Sequence, residues 1–380
     1  MELKDLREQI DEIDKSMVEL FVRRMEVCKE IALCKQGSGK KVYDPERERR
    51  KLAEIAELSG EAMRSYTAPL YSLMMDLSKT WQDQVIGGEK ELSQKIRKAV
   101  ENTGKLFPDF ATVACQGIEG AYSQMACDKL FASPNILYFK NFDAVFTAIE
   151  KGFCQYGVLP IENSTAGSVN QVYDLMMKHN FSIVRSVRVK IDHSLLAPEG
   201  VALGDIREIV SHEQAIQQCS EFIKSLGNVK VTVCENTAEA AKLGAQSGRR
   251  DLAALSSLNC AAIYGLNCLR EMVQDKGSNF TRFICISKNL EIYPGADKTS
   301  IMMILPHRPG SLYRVLARLY VLGINVTKLE SRPIPDRDFE FMFYFDLDTS
   351  IYSEEFVQLM CELDELCEEF RYLGSYSEVV

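Results

Sequence analysis

At 380 residues, with 46% apolar and 26% charged side chains, the chain is too long for one ordinary core and has the composition of a soluble globular protein of two or three domains. A formal net charge of −9 argues against a general nucleic-acid binder, which needs a basic surplus to neutralise phosphates. The twelve cysteines stand singly, with no CxxC pair and no histidines at zinc spacing, and neither a signal-like start nor eighteen consecutive apolar residues occurs; a cytoplasmic protein without a metal site, disulfide framework or membrane span is expected.

Residues 1 to 86 read as helices only. The first has an apolar stripe through Leu6, Ile10, Ile13, Met17 and Leu20 that continues through Arg24, Val27, Ile31 and Lys35. Residues 6, 24 and 35 point within about 20° of one another on a helix of 3.6 residues per turn. A charge on a packed face needs an anion, and about 16 Å of helix between Arg24 and Lys35 lets two long side chains grip a small dianion. Gly37, Ser38 and Gly39 break this helix, and Asp44-Pro45 start a second as N-cap and first residue. A third, from about Glu61 to Gln84, carries Leu70, Leu73, Met74, Leu77 and Trp81 on its stripe, with Ser78 and Gln82 sharing a face at i, i+4. Helix one is too long for two shorter partners to cover, so it is expected to pair with a second subunit. Gly87-Gly88 and a charged helix near 89–101 are expected to form a linker over 87–109.

From about 110 to 290, short apolar runs alternate with helices: 112–115, 156–160, 182–189, 208–211, 229–234, 253–256 and 281–287. That alternation predicts parallel α/β sheets in two small lobes, with a ligand cleft at the strand ends. The loops there are rich in glycine, hydroxyls and amides: GIEGAYS (117–123), GVLPIENSTAG (157–167), SHEQA (211–215), NTAEAA (236–241) and NFTRF (279–283). Such groups bind carboxylates through hydroxyls and backbone N–H groups, although each segment alone reads equally well as a cap or turn. The glycosylation pattern at Asn163, Asn279 and Asn325 is read as chance or as serving another purpose. His179, His193, His212 and His307 make no triad or ligand spacing, and His193 and His212 read as packed or turn histidines rather than bases. Residues 298–376 spell βαββα with room for one more strand, a ferredoxin-like unit.

On these residues, 1–86 resembles the all-helical class of chorismate mutase: LRxxIDxID from Leu6 to Asp14, Arg23-Arg24, Lys35, and Asp44 followed by Arg47-Glu48-Arg49. The resemblance implies that Arg7, supplied by the second subunit of an intertwined dimer, and Arg24 bind the carboxylates of chorismate with help from Arg47. It places Lys35 and Gln82 as donors to the ether oxygen, with Asp44, Glu48 and Ser78 holding the substrate. Residues 110–290 resemble prephenate dehydratase through NFTRF and PIENS, with Ile118 and Ala121 standing where that family usually has Pro and Thr. This implies Thr281 as the principal catalytic residue and Asn163, Ser164, Thr165, Ser211, Gln214, Thr237 and Arg282 as the site lining, with Glu162 only a salt-bridge partner. Residues 298–376 resemble an ACT domain, implying a phenylalanine effector at Gly310, Ser311, Leu312 and Glu330, Ser331, Arg332.

The expected whole is therefore multidomain: an all-α mutase, a two-lobed α/β dehydratase resembling periplasmic binding proteins, and an α+β ferredoxin-like ACT unit. Its expected substrates are chorismate and prephenate, with no metal or organic cofactor, in a homo-oligomer at least dimeric. Two rivals stand beside this reading: an arogenate dehydratase, and a two-lobed amino-acid or carboxylate sensor that the helices only dimerise.

Overall fold

The helical periodicity of the first segment is realised as α1 (Leu3–Ser38), α2 (Pro45–Leu58) and α3 (Gly60–Ile86). The computed structural model describes residues 2–38, 44–86, 91–335, 337, 340–352 and 354–380, so the expected breaks at Gly39 and Gly87-Gly88 lie outside the described residues. Asp44 caps α2 as expected, its carboxylate accepting from Arg47 N at 3.0 Å ahead of Pro45. Both α1 and α2 pack on α3, burying Cys28, Ala32, Ile55 and Ala56. The N-terminal half of α1 is left bare: Leu6, Ile10, Ile13, Met17 and Leu20 are 44–65% exposed.

The chain divides into two compact units, Met1–Glu91 and Leu92–Val380. The second starts with α4 (Glu91–Asn102) and continues as β1 (Thr112–Gln116), α5 (Tyr122–Leu130), β2 (Asn135–Phe139), α6 (Phe142–Glu150), β3 (Tyr156–Asn163), β4 (Gly167–Ser168), α7 (Asn170–Lys178) and β5 (Ser182–Lys190). The chain then leaves this sheet to build a second lobe from β6 (Ser194–Ala197), β7 (Glu208–Ser211), α8 (Glu213–Gln218), α9 (Ser220–Ser225), β8 (Lys230–Val233), α10 (Thr237–Gln246), β9 (Leu252–Ser256), α11 (Asn259–Tyr264) and β10 (Asn267–Arg270). It returns in β11 (Phe280–Ser287), and the remainder is β12 (Lys298–Ile304), α12 (Ser311–Val321), β13 (Asn325–Pro333), β14 (Phe341–Asp348), α13 (Glu354–Leu366), β15 (Glu369–Tyr376) and β16 (Glu378–Val379).

The first sheet runs β16-β5-β11-β3-β1-β2 with β4 on β3, the second β10-β6-β9-β7-β8, and the third β13-β14-β12-β15. The expectation of parallel sheets is corrected here: β11 lies antiparallel between β3 and β5, because the returning chain enters the first sheet from the second lobe. β6 is likewise antiparallel to β9 and β10. The third sheet completes the expected βαββα pattern with β15, antiparallel to β12.

The supposed linker helix is a packed one. Ile96 and Ala99 of α4 are buried in one core with Ile301, Met303, Phe345, Phe356 and Leu363, so α4 belongs to the core built on the third sheet. The other face of that sheet joins the first lobe: Met302, Ile304, Tyr344, Leu373 and Tyr376 share a core with Phe146, Ile161, Tyr173 and Ile284. Close approach needs glycine at 374 (φ +137°), where a Cβ would collide with Ile183 O. β16 then pairs parallel with β5, and Arg188 meets Glu378 at 2.8 Å.

Candidate active sites

The backbone crosses between the lobes twice, after β5 and before β11. The crossings are tied together: Ile191 N donates to Asn279 O and Val273 N to His193 O, both at 2.8 Å, while Gln274 Nε2 donates to Asp192 Oδ1 at 2.7 Å. Beside them a cavity of about 260 Å³ is lined by Thr165, Ala166, Gln214, Gln217, Gln218, Gln274, Asp275, Lys276 and Asn279. Lys276 is the only cation among these lining residues; Asp275 accepts from Ser220 Oγ at 3.0 Å and from Glu221 N at 3.2 Å.

The end of β3 sets the chemistry of this cleft. Asn163 Oδ1 accepts from Thr165 N at 3.0 Å, Ala166 N at 2.9 Å and Thr165 Oγ1 at 2.7 Å, an Asx turn that also allows the return into β4. Asn163 Nδ2 therefore faces β11, donating to Asn279 Oδ1 at 2.8 Å and Thr281 Oγ1 at 2.9 Å. Thr281 pairs with Asn163 in the β-ladder and is 9% exposed. Ser164 brackets the same two segments, donating to Ser278 O at 3.3 Å and accepting from Phe280 N at 3.0 Å.

Of the residues expected to line this site, Thr165 and Gln214 line the cavity, and Asn163, Ser164 and Thr281 are brought together beside Thr165 through the hydrogen bonds above. Three are not. Arg282 follows Thr281 on a strand and so points to the opposite face, where it pairs with Asp346 and with Glu162, the latter at 3.4 Å. Ser211 is fully buried and donates to Leu255 O at 2.7 Å. Thr237 opens α10, which is capped by Asn236, and is not among the cavity-lining residues. His212 caps α8 through Gln214 N, in line with the turn reading. Sequence reasoning left Gln217, Gln218, Gln274, Lys276 and Asn279 out of the site. Asn279 alone among them carried a signal, as the first residue of the NFTRF segment; the others come from parts of the second lobe and its return crossing that no motif marked.

The opposite face of β3 and β11 is a cluster of charges. Lys328 Nζ reaches Glu162 Oε1 at 3.0 Å and Ser168 Oγ at 2.8 Å, Ser168 donates to Glu330, and Arg332 grips Asp174 in bidentate fashion at 2.9 and 3.0 Å. Asp346 is 1% exposed and also accepts from Ser300 Oγ. This corrects the expected effector set: strand alternation sends Glu330 and Arg332 toward Ser168 and Asp174, with Ser331 on the other face. Ser311 donates to Pro306 O at 2.7 Å, beside Gly310 at φ +85°, and Leu312 packs on the core of the third sheet.

In the helical unit, four expected residues converge. Arg24 Nη1 bonds Ser78 Oγ and, at 3.3 Å, Met74 O; Lys35 Nζ lies 3.4 Å from Gln82 Oε1. Ser78 and Gln82 are 4% and 7% exposed, so the two cations do point into packed surroundings, though the hydrogen bonds of Arg24 go to neutral oxygens. Glu48 pairs with Lys79 at 3.1 Å, and Lys79 with Asp76 at 2.9 Å, an ion group that the sequence reading omitted. Asp44 is occupied as a cap, and Arg7 and Arg47 are exposed.

A cleft between two lobes, lined by amides and hydroxyls and joined in one chain to a helical unit with inward cations, defines an enzyme that orients small anions. Residues 113–291 match the family model of prephenate dehydratase, and residues 6–83 that of chorismate mutase type II. The chain is 31% identical over 382 residues to the bifunctional chorismate mutase/prephenate dehydratase of Escherichia coli (strain K12), covering 98% of this chain and 95% of that one. It is 36% identical over 314 residues to arogenate dehydratase/prephenate dehydratase 2, chloroplastic, of Arabidopsis thaliana, covering 80% and 81%. Among solved structures, prephenate dehydratase in complex with L-Phe from Arthrobacter aurescens aligns with TM-score 0.65 at 28% identity over 70% of this chain and 90% of that one. The quorum-quenching acylase GqqA aligns with TM-score 0.64 at 30% identity over 70% and 97%.

The chain belongs to the family of bifunctional chorismate mutase/prephenate dehydratases. It is an enzyme that converts chorismate to prephenate and prephenate to phenylpyruvate.

The ion pair behind the dehydratase cleft is open to a direct test. Asp346→Ala removes the buried one of the two carboxylates on Arg282, itself only 11% exposed, and leaves it Glu162 at 3.4 Å. Urea unfolding of the second unit is expected to show a loss of about 3–5 kcal/mol.

Proposed function

We propose that the two reactions occupy the two units separately, dehydration at Thr281 and rearrangement between Arg24 and Lys35. The carrying observation for dehydration is the Asn163–Thr281 pair, which brings a threonine hydroxyl to the cleft with an amide donating to its oxygen. Prephenate must lose carbon dioxide and its ring hydroxyl, and aromatisation drives both. One hydrogen-bond donor at the departing hydroxide and a rigid grip on the anion are what the protein must supply. Gln214 and Lys276 on the cavity wall supply the grip, with Asn163, Thr165, Asn279 and Gln218 holding the frame behind them.

For the rearrangement no nucleophile or proton transfer is needed, only a compact conformer and positive charge at the breaking C–O bond. Lys35 and Gln82 converge within 3.4 Å and suit that bond; Arg24, held by Ser78, suits a carboxylate. Glu48 and Arg47 complete the site at the start of α2. The bare apolar face of α1 favours a second copy of this chain as its cover, which would carry the exposed Arg7 to the neighbouring site.

The third sheet with α12 and α13 we assign as an ACT module sensing phenylalanine. Its βαββαβ order supports this, as does the L-Phe complex of the Arthrobacter aurescens relative. Gly310, Ser311 and Leu312 at the start of α12 are the side of the module that remains for the effector once Glu330 and Arg332 are engaged. The described cysteines form no disulfide with one another, which suits the cytoplasm.

Arogenate remains the nearest rival substrate. It carries an ammonium group where prephenate carries a keto group, and Lys276 at the cavity favours prephenate, which lacks that positive charge.

Arg24→Ala should lower mutase turnover at least about 100-fold while dehydration of supplied prephenate continues, and Thr281→Val should do the converse. Steady-state assays of both reactions decide this, and joint loss in either variant rejects separate sites. Lys276→Ala should raise the KM for prephenate about tenfold and leave arogenate turnover less affected. Phenylalanine should inhibit dehydration but not rearrangement; unchanged initial rates over a phenylalanine titration reject the ACT assignment.

A further inference from the structure

Behind Thr281 the polar side chains close into a ring. Asn163 Nδ2 donates to Asn279 Oδ1 at 2.8 Å, Asn279 Nδ2 to Gln218 Oε1 at 3.0 Å, Gln218 Nε2 to Thr165 Oγ1 at 2.8 Å, and Thr165 Oγ1 to Asn163 Oδ1 at 2.7 Å. Every donor points the same way round. Side-chain amides can be turned by 180°, so something must choose that direction. One determinant is the pair of backbone N–H groups of Thr165 and Ala166, which can only donate and therefore hold the oxygen of Asn163 toward them.

The second is His193, which is 2% exposed and outside the cavity lining. Its Nε2 lies 3.0 Å from Gln218 Oε1, an oxygen already receiving Asn279, so Nε2 carries the proton. Nδ1 is then the unprotonated nitrogen; it is buried and has no hydrogen-bond partner. His193 is held by the crossing segments, since its backbone N–H donates to Gln274 Oε1 at 2.9 Å and its carbonyl accepts from Val273 N. Tyr122 packs edge-on against it at 6.0 Å. Burial lowers its pKa, outweighing the Gln218 hydrogen bond and the charge of Asp192, with His212 adding in the same direction as burial, so the imidazole is neutral at pH 7.

We propose that His193 is a positioning residue for dehydration: the proton it gives to Gln218 Oε1 fixes the direction of the ring, and the ring keeps Asn163 donating to Thr281. With its oxygen occupied by Asn163, the Thr281 hydroxyl directs its own proton to the departing hydroxide rather than back into the protein. A reversed Gln218 would set its NH₂ against the donors of His193 and Asn279. No atom of His193 touches substrate in this arrangement.

The test compares two polar variants in the full-length protein. In His193→Gln the amide nitrogen reaches the place of Nε2, whereas in His193→Asn it stops near the place of Nδ1. His193→Asn is expected to lower kcat for dehydration about tenfold or more with KM within about threefold, and His193→Gln to recover most of that loss. Equal kcat in the two variants, whether both normal or both reduced, overturns the proposal. Should His193→Asn not fold, Gln218→Glu decides the matter. Its carboxylate still accepts from His193 and Asn279 but cannot donate to Thr165, so a similar fall in kcat at saturation supports the ring, and wild-type kcat overturns it. The proposal rests on Thr281 as the donor, and Thr281→Val separates the two. An active Thr281→Val defeats the reading of the site itself, while an inactive one beside a normal His193→Asn defeats only the role of His193.

Discussion

Two backbone N–H groups on one amide oxygen organise the dehydratase cleft. Thr165 N and Ala166 N are obligate donors, so Asn163 has no choice about which end of its amide faces β4 and which faces β11. An aspartate there could accept from both but could not donate to Thr281, and a residue without a side-chain oxygen would leave the turn open. From that anchor follow the pairing of Asn163 with Thr281, the sense of the ring through Asn279, Gln218 and Thr165, and the amide donor that faces Thr281 Oγ1. The turn is local in sequence, yet its effect reaches across two lobes, because the ring takes members from β3, α8 and the segment before β11.

The same two strands carry different work on their two faces. Asn163 and Thr281 are ladder partners facing the cleft, and their neighbours Glu162 and Arg282 are ladder partners facing the third sheet. There Arg282 meets Asp346 of β14, and Glu162 meets Lys328 of β13. The period of two along a strand thus puts the chemistry and the attachment of the βαββαβ module one residue apart. With one apolar core continuous across that boundary, the module is bound to β3 and β11 through charge as well as through apolar contact.

The fold was legible where periodicity was long. The helices α1 to α3 and the βαββα order follow from stripes and alternation that leave little choice. What was not legible depended on topology. β2 is half-exposed, and β6 and β10 are four residues each, too short to show a pattern, and nothing local says that β11 returns antiparallel. The site behaved in the same way. Asn163, Thr165 and Thr281 stand in motifs and are gathered at the cleft, whereas Gln218, His193 and Lys276 become neighbours only when the second lobe folds back. Arg282 was misplaced for a simpler reason: residues adjacent in a motif lie on opposite faces of a strand, and a charge beside Thr281 is not thereby on the cleft side. Ser211 and Thr237 show the bland reading prevailing, one satisfied within the core and the other at a helix start.

The last ladder pair has a consequence for how the chain is made. β16 is formed by Glu378 and Val379, and it completes the edge of the first sheet, whose opening strand is β1 at Thr112. During synthesis β5 keeps an uncovered edge until β16, far downstream, is available to pair with it. Without β16 the first sheet would offer the open edge of β5 to neighbouring chains.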